Sequence, residues 1–332
     1  MRILVTGAAG FIGAHISHAL LDRDIEVVGV DNLNAYYDPK LKQDRLGFLT
    51  ARQGFEFVRG DLADPKTLTD IPGTFDSVVH LAAQAGVRHS IDAPFDYLDS
   101  NLRGHLSVLE FVRNAPKRPF LVYASSSSVY GDNTPAPFKE TARADEPVSL
   151  YAATKRSVEL ISTSYTSLYD IAQVGLRFFT VYGPWGRPDM AYFKFADAMM
   201  SGREIEIYNH GDLMRDFTWI DDIVSAVIAI VLAGPEGGNG AGRPHRVYNI
   251  GNNRPERLMD FVDTLERAFE IEAIKVMRPM QPGDVTVTAA DIDSIKSDYG
   301  FSPSTSIDQG LSRFADWFKA WHAGEQTGWR SS

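Results

Sequence analysis

Cysteine is absent from this chain of 332 residues. A protein without thiols forms no disulfide, no thiolate metal site and no iron–sulfur cluster, and it has no cysteine nucleophile. Long apolar runs are also absent: the longest after the N-terminal run, Ile223–Ala233, is interrupted by Ser225 and is much too short to span a bilayer. Residues Met1–Gly7 are far shorter than the apolar core of a secretory signal. We therefore expect a soluble, cytoplasmic protein with no membrane partner.

Positive charge is scarce, since 33 Lys and Arg stand against 43 Asp and Glu and give a formal net charge of −10. This balance argues against nucleic acid as a partner, although it leaves room for one local basic pocket. None of the eight histidines has the spacing of metal ligands, so we predict no metal site. Apolar residues make up 44% of the chain, which excludes whole-chain disorder and allows about two packed domains.

The first half of the chain alternates short apolar runs with segments of helical periodicity. The runs include residues 3–5, 27–30, 55–58, 78–79, 120–123 and 174–179. Runs that are apolar on both faces and separated by helices indicate buried parallel strands in βαβ units. We predict an α/β fold with a doubly wound parallel sheet over residues 1–180.

The second half has a more mixed pattern. It predicts strands at 205–208 and 247–250 and helices at 192–200, 221–232 and 256–269. A last helix begins at a capping pattern that runs from Thr305 to Asp308, and its stripe of Leu311, Phe314, Phe318 and Trp321 is expected to be core. We predict a smaller mixed α/β domain over residues 181–332, of which about 216–251 returns to the first domain.

A glycine-rich loop follows the first predicted strand and opens the first helix. It reads Gly7-Ala8-Ala9-Gly10-Phe11-Ile12-Gly13. The missing Cβ atoms let a pyrophosphate approach the backbone, and the helix N-terminus supplies N–H donors and a positive dipole. The second strand ends at Asp31, 18 residues after Gly13, where a carboxylate can bind both adenosine-ribose hydroxyls and would repel a 2′-phosphate. These residues predict NAD rather than NADP, and the alternative for Asp31 is a turn-capping role.

Two more strand ends suit a dinucleotide. Gly60-Asp61-Leu62 ends the third strand, and Leu81-Ala82-Ala83 ends the fourth with small residues that allow close approach. Either could be a plain turn, but strand ends at one edge of a parallel sheet form a continuous groove. Asn32 and Asn101 complete the predicted cofactor contacts.

The candidate catalytic residues lie in the serine run 125–128, which ends the fifth strand, and in Tyr151-Ala152-Ala153-Thr154-Lys155 on the next helix. The i,i+4 spacing places Tyr151 and Lys155 on one helix face. A phenol with a pKa near 10 is a poor base at neutral pH, and an adjacent ammonium would lower that pKa. We predict Tyr151 as the base, Lys155 as its activator and ribose anchor, and Ser126 as a hydrogen-bond relay. A chance Tyr-Lys spacing and a plain polar turn are the alternatives.

The chain resembles the extended short-chain dehydrogenase/reductase superfamily over nearly its whole length. Four stretches are most similar to the UDP-glucuronate 4-epimerases: MRILVTGAAGFIGAHISHALL, VDNLNAYYDPKLKQDRL, YASSSSVYG and RFFTVYGPWGRPDM. Dehydratases of this superfamily have an Asp-Glu pair after the relay residue, whereas Ser127 and Ser128 stand here. The resemblance therefore implies a Rossmann-type fold, NAD and a UDP-sugar substrate, without dehydration.

The resemblance also implies substrate contacts. Thr180 would bind a sugar carboxylate together with Ser126, Ser127 and Ser128, and Arg187 would guard the sugar. Arg215 and Asp284 match contacts to the diphosphate and the uridine ribose, while Lys194 and Arg88 are weaker candidates. The cations among them would form a basic pocket inside an acidic protein, although each arginine could instead be a surface ion-pair partner. A homodimer through a four-helix bundle is implied as well, and Leu102, Leu106 and Leu109 are the apolar positions that support it.

The predicted reaction is 4-epimerisation of UDP-glucuronate to UDP-galacturonate through a 4-keto sugar. A ketone at C4 and a carboxylate at C6 form a β-keto acid that readily loses CO₂, so the enzyme must hold the carboxylate out of alignment with the ketone. Three alternatives stay open: a UDP-glucuronate decarboxylase, a UDP-glucose 4-epimerase, and a dinucleotide-sensing regulator without catalysis. The regulator would not need Ser126, Tyr151 and Lys155 together.

Overall fold

The computed structural model describes residues 1–237, 244–281, 283–325 and 327–329. A parallel sheet of seven strands forms its centre. In chain order they are β1 (Arg2–Thr6), β2 (Glu26–Asp31), β3 (Phe55–Arg59), β4 (Ser77–His80), β5 (Phe120–Ser126), β6 (Gln173–Phe178) and β10 (His245–Ile250). Strands β7–β9 lie outside this sheet. Their spatial order is β10-β6-β5-β4-β1-β2-β3, so the winding direction reverses between β4 and β1. The predicted doubly wound parallel sheet is confirmed.

The helices cover the sheet and the remainder of the chain. They are α1 (Phe11–Leu21), α2 (Pro39–Thr50), α3 (Lys66–Thr69), α4 (His89–Asp92), α5 (Pro94–Tyr97), α6 (Gly104–Asn114), α7 (Leu150–Tyr169), α8 (Ala191–Met200), α9 (Ile220–Ala233), α10 (Leu258–Phe269), α11 (Asp293–Tyr299) and α12 (Ile307–His322). A π-helix, Leu98–Arg103, joins α5 to α6. Among the described residues, no helix is both long and apolar enough to cross a membrane.

Two small sheets lie outside the central one. The first contains β7 (Thr180–Tyr182), β9 (Met214–Trp219) and β11 (Pro255–Arg257), and the second contains β8 (Ile205–Ile207) and β12 (Lys275–Met277). Because β10 pairs in parallel with β6, the chain returns to the central sheet after β9. The division into domains at residue 180 stays a prediction.

The predicted starts of α8 and α9 differ from the structure by one residue, and those of α12 and α10 are wrong for reasons that the contacts show. The last helix is capped by Ser306, whose hydroxyl accepts from the Gln309 N–H while the Gln309 side chain accepts from the Ser306 N–H. Thr305 instead donates its N–H to Asp222, so the Thr305–Asp308 cap does not form. Glu256 belongs to β11, where it pairs with Arg215 of β9, and α10 begins only at Leu258.

The interior is dominated by aliphatic strands and by aromatic side chains of the second half. In α12, Leu311, Phe314 and Phe318 are fully buried, which confirms the predicted core stripe, although Trp321 is half-buried. In α9, apolar residues occur on every face because the helix packs on one side against α1 and on others against β5, β7 and β9.

Two buried histidines and one half-buried histidine lie in or behind the central sheet. His80 bonds to the Thr6 hydroxyl (2.8 Å) and stacks on His105, which in turn bonds to the Ser162 hydroxyl (2.8 Å). His245 lies on the other side of Tyr123 and bonds to its hydroxyl (2.9 Å). Burial lowers the pKa of His80 to about 3 and that of His245 to about 4, so both rings are neutral near pH 7.

Leu265 of α10 is fully buried, whereas Leu232 of α9 is 49% exposed. We expect Leu265→Ala to lower the free energy of unfolding by about 2–5 kcal/mol, because it removes apolar contacts and leaves a cavity. Leu232→Ala, the same substitution at a helix surface, should change it by about 0.5 kcal/mol or less. Urea titration followed by tryptophan fluorescence measures both, and equal losses would contradict the assigned core.

Candidate active site

A cleft opens at the carboxyl ends of the central strands, where the winding direction reverses. Its volume of about 420 Å³ is in the range of small-molecule sites. Most of the residues predicted from the sequence line it, namely Gly7, Gly10, Phe11, Ile12, Gly13, Asp31, Asn32, Asp61, Leu62, Leu81, Ala82, Ala83, Ser126, Ser127, Ser128, Tyr151, Lys155, Thr180 and Arg187. The fold thus brings the candidate cofactor residues and the candidate catalytic residues into one cavity.

The glycine loop is packed too tightly for side chains. Gly7 has a φ of +71°, and a Cβ at this position would lie 2.8 Å from the Ala82 nitrogen. A Cβ on Gly13 would lie 2.1 Å from the Gly7 carbonyl oxygen. Gly10, the residue before α1, provides no side-chain cap, so the first N–H groups of the helix, at Phe11 and Ile12, are left for a ligand in the cleft. This arrangement suits a pyrophosphate.

The ends of β2 and β3 are joined by side chains. The Asp31 carboxylate accepts from the Ala9 N–H (3.1 Å) and from the Leu33 N–H (2.8 Å), which fixes it at the cleft. The Asn32 amide donates to Asp61 (3.0 Å). Both carboxylates are therefore held by donors of the chain and keep oxygen lone pairs free for hydroxyl groups.

Asn101 lies behind the cleft wall. Its amide oxygen accepts from the Gln84 N–H (2.8 Å), and its amide nitrogen donates to the Gln84 carbonyl (3.1 Å) and to Thr154 (3.0 Å). The structure therefore gives Asn101 a supporting position beneath Gln84, which lines the cleft. Sequence reasoning missed Gln84 because this residue lies just beyond the Leu81–Ala83 segment that follows β4.

Tyr151 and Lys155 lie in the first turns of α7, which Ser149 caps by accepting from the Ala152 N–H (3.1 Å). The Lys155 ammonium donates to the Ala124 carbonyl (2.9 Å), and burial lowers its pKa to about 8. Burial raises the pKa of Tyr151, and the Ser126 hydroxyl and the positive charge of Arg187 oppose that rise. The role of Lys155 in lowering the pKa of Tyr151 stays a prediction, and in this structure the charge of Arg187 also acts on the phenol.

The serine run is fixed from behind by a buried ion pair. Ser125 donates to Glu159 (2.6 Å), and Glu159 accepts two hydrogen bonds from Arg177, both of 2.8 Å. Ser126 accepts from the N–H of Ser128 (3.2 Å) and from its hydroxyl (2.9 Å). The relay candidate is therefore held in place at the end of β5.

Arg187 is not a free cation. Its Nε donates to Oδ1 of Asp189 (3.0 Å), its Nη2 donates to Oδ2, and Tyr36 donates to the same Oδ2 (3.1 Å). Sequence reasoning assigned neither Tyr36 nor Asp189, since a contact between positions so distant in the chain leaves no local pattern. It also missed several other residues that line the cleft, among them Asn34, Tyr37, Lys42, Gly86, Val87, Phe179 and Met190.

The remaining predicted substrate residues lie beyond the wall of this cleft. Arg88 pairs with Asp284 (3.6 Å), and Arg215 donates to the Thr286 carbonyl (3.2 Å). Gly283 lies against Val87, a residue of the cleft, so this second cluster adjoins the first. Lys194 is exposed on α8, one turn after Met190. The expected basic pocket is therefore compensated, because Arg88 and Arg187 each have a carboxylate partner.

Residues 3–251 match the NAD dependent epimerase/dehydratase family. The chain is 45% identical to the probable UDP-glucuronate 4-epimerase of Rhizobium meliloti, over 96% of this chain and 97% of that protein. It is also 45% identical to UDP-glucuronate 4-epimerase 1 of Arabidopsis thaliana, over 97% of this chain and 77% of that protein. A crystal structure of UDP-glucuronic acid 4-epimerase from Bacillus cereus, in complex with UDP-glucuronic acid and NAD, matches with a TM-score of 0.87 and 34% identity, over 97% of this chain and 100% of that one.

Proposed function

Because the chain belongs to the NAD dependent epimerase/dehydratase family, we propose that it converts UDP-glucuronate to UDP-galacturonate by inverting C4 of the sugar. One observation carries the proposal. A single cleft contains the Tyr151 phenol beside Ser127, Ser128, Thr180 and Arg187, a set of donors suited to a carboxylate. Two relatives that match nearly the whole of this chain are named as UDP-glucuronate 4-epimerases. The Asp-Glu pair of a dehydratase is absent from positions 127 and 128, where two serines stand.

NAD fits the cofactor half of the cleft. The uncapped start of α1 and the side-chain-free glycine loop would hold its pyrophosphate, and Asp31 would hold the adenosine ribose. Asp61, Leu62 and the Leu81–Ala83 loop would face its adenine and central part. When bound, NAD supplies reversible hydride transfer at C4 of the sugar.

The chain's own residues provide the proton transfer. Tyr151 takes the proton from the C4 hydroxyl and later returns it, and Ser126, whose hydroxyl opposes the rise in the pKa of Tyr151, relays the proton. The charge of Arg187 opposes the burial that raises the pKa of Tyr151. Lys155, fixed by the Ala124 carbonyl, anchors the cofactor ribose.

The substrate is held at both of its charged ends. Ser127, Ser128 and Thr180, with Arg187, bind the uronate carboxylate and keep it out of alignment with the C4 ketone, which suppresses loss of CO₂. The adjoining cluster of Arg88, Arg215 and Asp284 binds the uridine diphosphate, with Lys194 of α8 as a further contact.

A homodimer is part of the proposal, as is a cytoplasmic location, which a chain without cysteine fits. Exposed apolar side chains are concentrated on α4–α7 and the π-helix between them, namely Ile91, Phe95, Leu98, Leu106, Leu160 and Leu168. Such a concentration indicates a covered surface. Leu109 is wrong as a candidate for this surface, because it is fully buried in the core.

The reaction is tested by incubating the NAD-loaded protein with UDP-glucuronate and identifying the sugar formed. We expect UDP-galacturonate without net NADH, and a loss of about a hundredfold or more in kcat for Tyr151→Phe. Tyr169→Phe, at the far end of the same helix, is the matched control. Formation of UDP-pentose and CO₂ would indicate a decarboxylase. Faster turnover of UDP-glucose than of UDP-glucuronate would indicate a neutral-sugar epimerase, and binding without turnover would indicate a regulator.

The cofactor site is tested by two glycine substitutions in helices. Gly13→Ala should raise the dissociation constant for NAD by about tenfold or more, because its Cβ would displace the Gly7 carbonyl from the loop. Gly47→Ala in α2 meets no atom within 4 Å and should bind NAD as the parent protein does. Calorimetry on cofactor-stripped protein measures both constants, and thermal melts check that each variant is folded. Unchanged affinity in folded Gly13→Ala would exclude the assigned loop.

The dimer surface is tested by inserting one charge. Leu160→Asp places a carboxylate on the exposed face of α7 and should convert the dimer to a monomer, since a buried unpaired charge is costly. Leu232→Asp makes the same change on α9, outside this surface, and should leave the dimer intact. Sedimentation equilibrium gives the two masses. A monomeric parent protein, or a dimer in both variants, would contradict the assigned surface.

A further inference from the structure

Arg187 and Asp189 form a fork-shaped ion pair in the wall of the cleft. Their side chains are 25% and 21% exposed, and Nε and Nη2 of the arginine each donate to a different carboxylate oxygen. Two parallel hydrogen bonds fix the plane of the guanidinium as well as its position. The direction in which Arg187 offers its remaining N–H groups is therefore set by Asp189.

Asp189 is itself anchored from another part of the chain. The Tyr36 hydroxyl donates to Oδ2, the oxygen that also accepts from Arg187. Burial raises the pKa of Tyr36 to about 12, so the hydroxyl keeps its proton and remains a donor. Tyr36 also lies against Gly86, where an added Cβ would be 2.4 Å from the hydroxyl oxygen. The carboxylate thus has fixed donors from two sides.

The backbone before Arg187 is fixed as well. The fully buried Arg45 donates to the carbonyl of Trp185 (2.9 Å) and to that of Gly186 (2.8 Å). The Arg187 carbonyl accepts from the Met190 N–H (3.2 Å). These hydrogen bonds hold both the turn and the guanidinium in one position.

Two consequences follow for an anionic substrate. Nη1 takes part in neither bond to Asp189, and in the described part of the chain no hydrogen bond uses it, so it remains for the substrate. The negative charge of Asp189 also offsets the positive charge of the guanidinium. The substrate carboxylate therefore meets directional hydrogen-bond donors but little net electrostatic attraction. Epimerisation requires the sugar ring to present both faces of C4, and a strong ion pair to the ring's carboxylate would oppose that rotation.

We propose that Asp189, anchored by Tyr36, is a positioning residue that fixes and attenuates Arg187, so that the uronate carboxylate is held out of plane yet the ring can turn. This inference rests on the proposed 4-epimerase activity. It makes Asp189 the residue that sets the ratio of epimerisation to decarboxylation.

Asp189→Asn tests this role because it removes the charge and preserves the size. We expect KM for UDP-glucuronate to fall and kcat to fall by about tenfold, because the freed guanidinium binds the carboxylate tightly and holds the ring. We also expect the ratio of UDP-4-keto-pentose to UDP-galacturonate to rise by about tenfold. In that side reaction the C5–C6 bond breaks, CO₂ leaves, the electron pair passes to the C4 carbonyl, C5 takes up a proton, and NADH remains when the keto-pentose is released.

Three variants complete the experiment. Tyr36→Phe should shift both KM and product ratio in the same direction by a smaller factor, and it serves as the principal test if Asp189→Asn does not fold. Arg187→Ala should raise KM, the opposite direction, and also release CO₂. Asp197→Asn breaks the exposed pair with Arg203 and should match the parent protein.

The readouts separate this inference from the proposed function. Failure of the parent protein to convert UDP-glucuronate would overturn the proposed function and the inference with it. Normal conversion by the parent, with KM and product ratio unchanged in folded Asp189→Asn, would overturn the inference alone. If Asp189→Asn raises KM and lowers thermal stability without changing the product ratio, then Asp189 only stabilises the fold of its loop and the inference is wrong.

Discussion

The buried pair between Glu159 and Arg177 holds the active-site half of the molecule together. Both side chains are nearly inaccessible, and two hydrogen bonds of 2.8 Å join them, so removing either partner would leave a buried charge without its counter-charge. Glu159 belongs to α7, the helix that carries Tyr151 and Lys155, and Arg177 belongs to β6. Ser125 of β5, the strand that ends in the serine run, donates a hydrogen bond to Glu159. One ionic contact thus joins three elements that border the candidate active site.

Compensated charge is the second property of the site. The protein has an excess of acidic residues, yet its expected ligand carries a diphosphate and a carboxylate. Arg187 and Arg88, the contacts that we propose for this ligand, each have an aspartate beside them. Recognition through them would depend on hydrogen-bond direction more than on net attraction. An uncompensated basic cavity would bind the nucleotide sugar more strongly in every orientation and would hinder the motion that inversion requires.

Sequence reasoning succeeded where the determinant is local. The glycine loop, the Asp31 strand end and the Tyr151–Lys155 spacing are each contained in one turn or one βα unit, and all line the cleft. It failed where the determinant is a contact across the fold. Tyr36 and Asp189 are 153 positions apart, and the direction of a side chain on α6 separates exposed Leu106 from buried Leu109. The displaced start of α12 has another cause, since Thr305 and Ser306 are both competent caps and only tertiary contact decides between them.

The neutral histidines of the central sheet tie the fold to the acidity of its surroundings. In the unfolded chain these rings would take up protons below about pH 6.5, whereas in the folded chain His80 and His245 resist protonation down to about 3 and 4. Between those limits acid favours the unfolded state, by about 1.4 kcal/mol for each ring and each pH unit. The sheet that borders the candidate active site therefore loses stability as the pH falls below about 6.5.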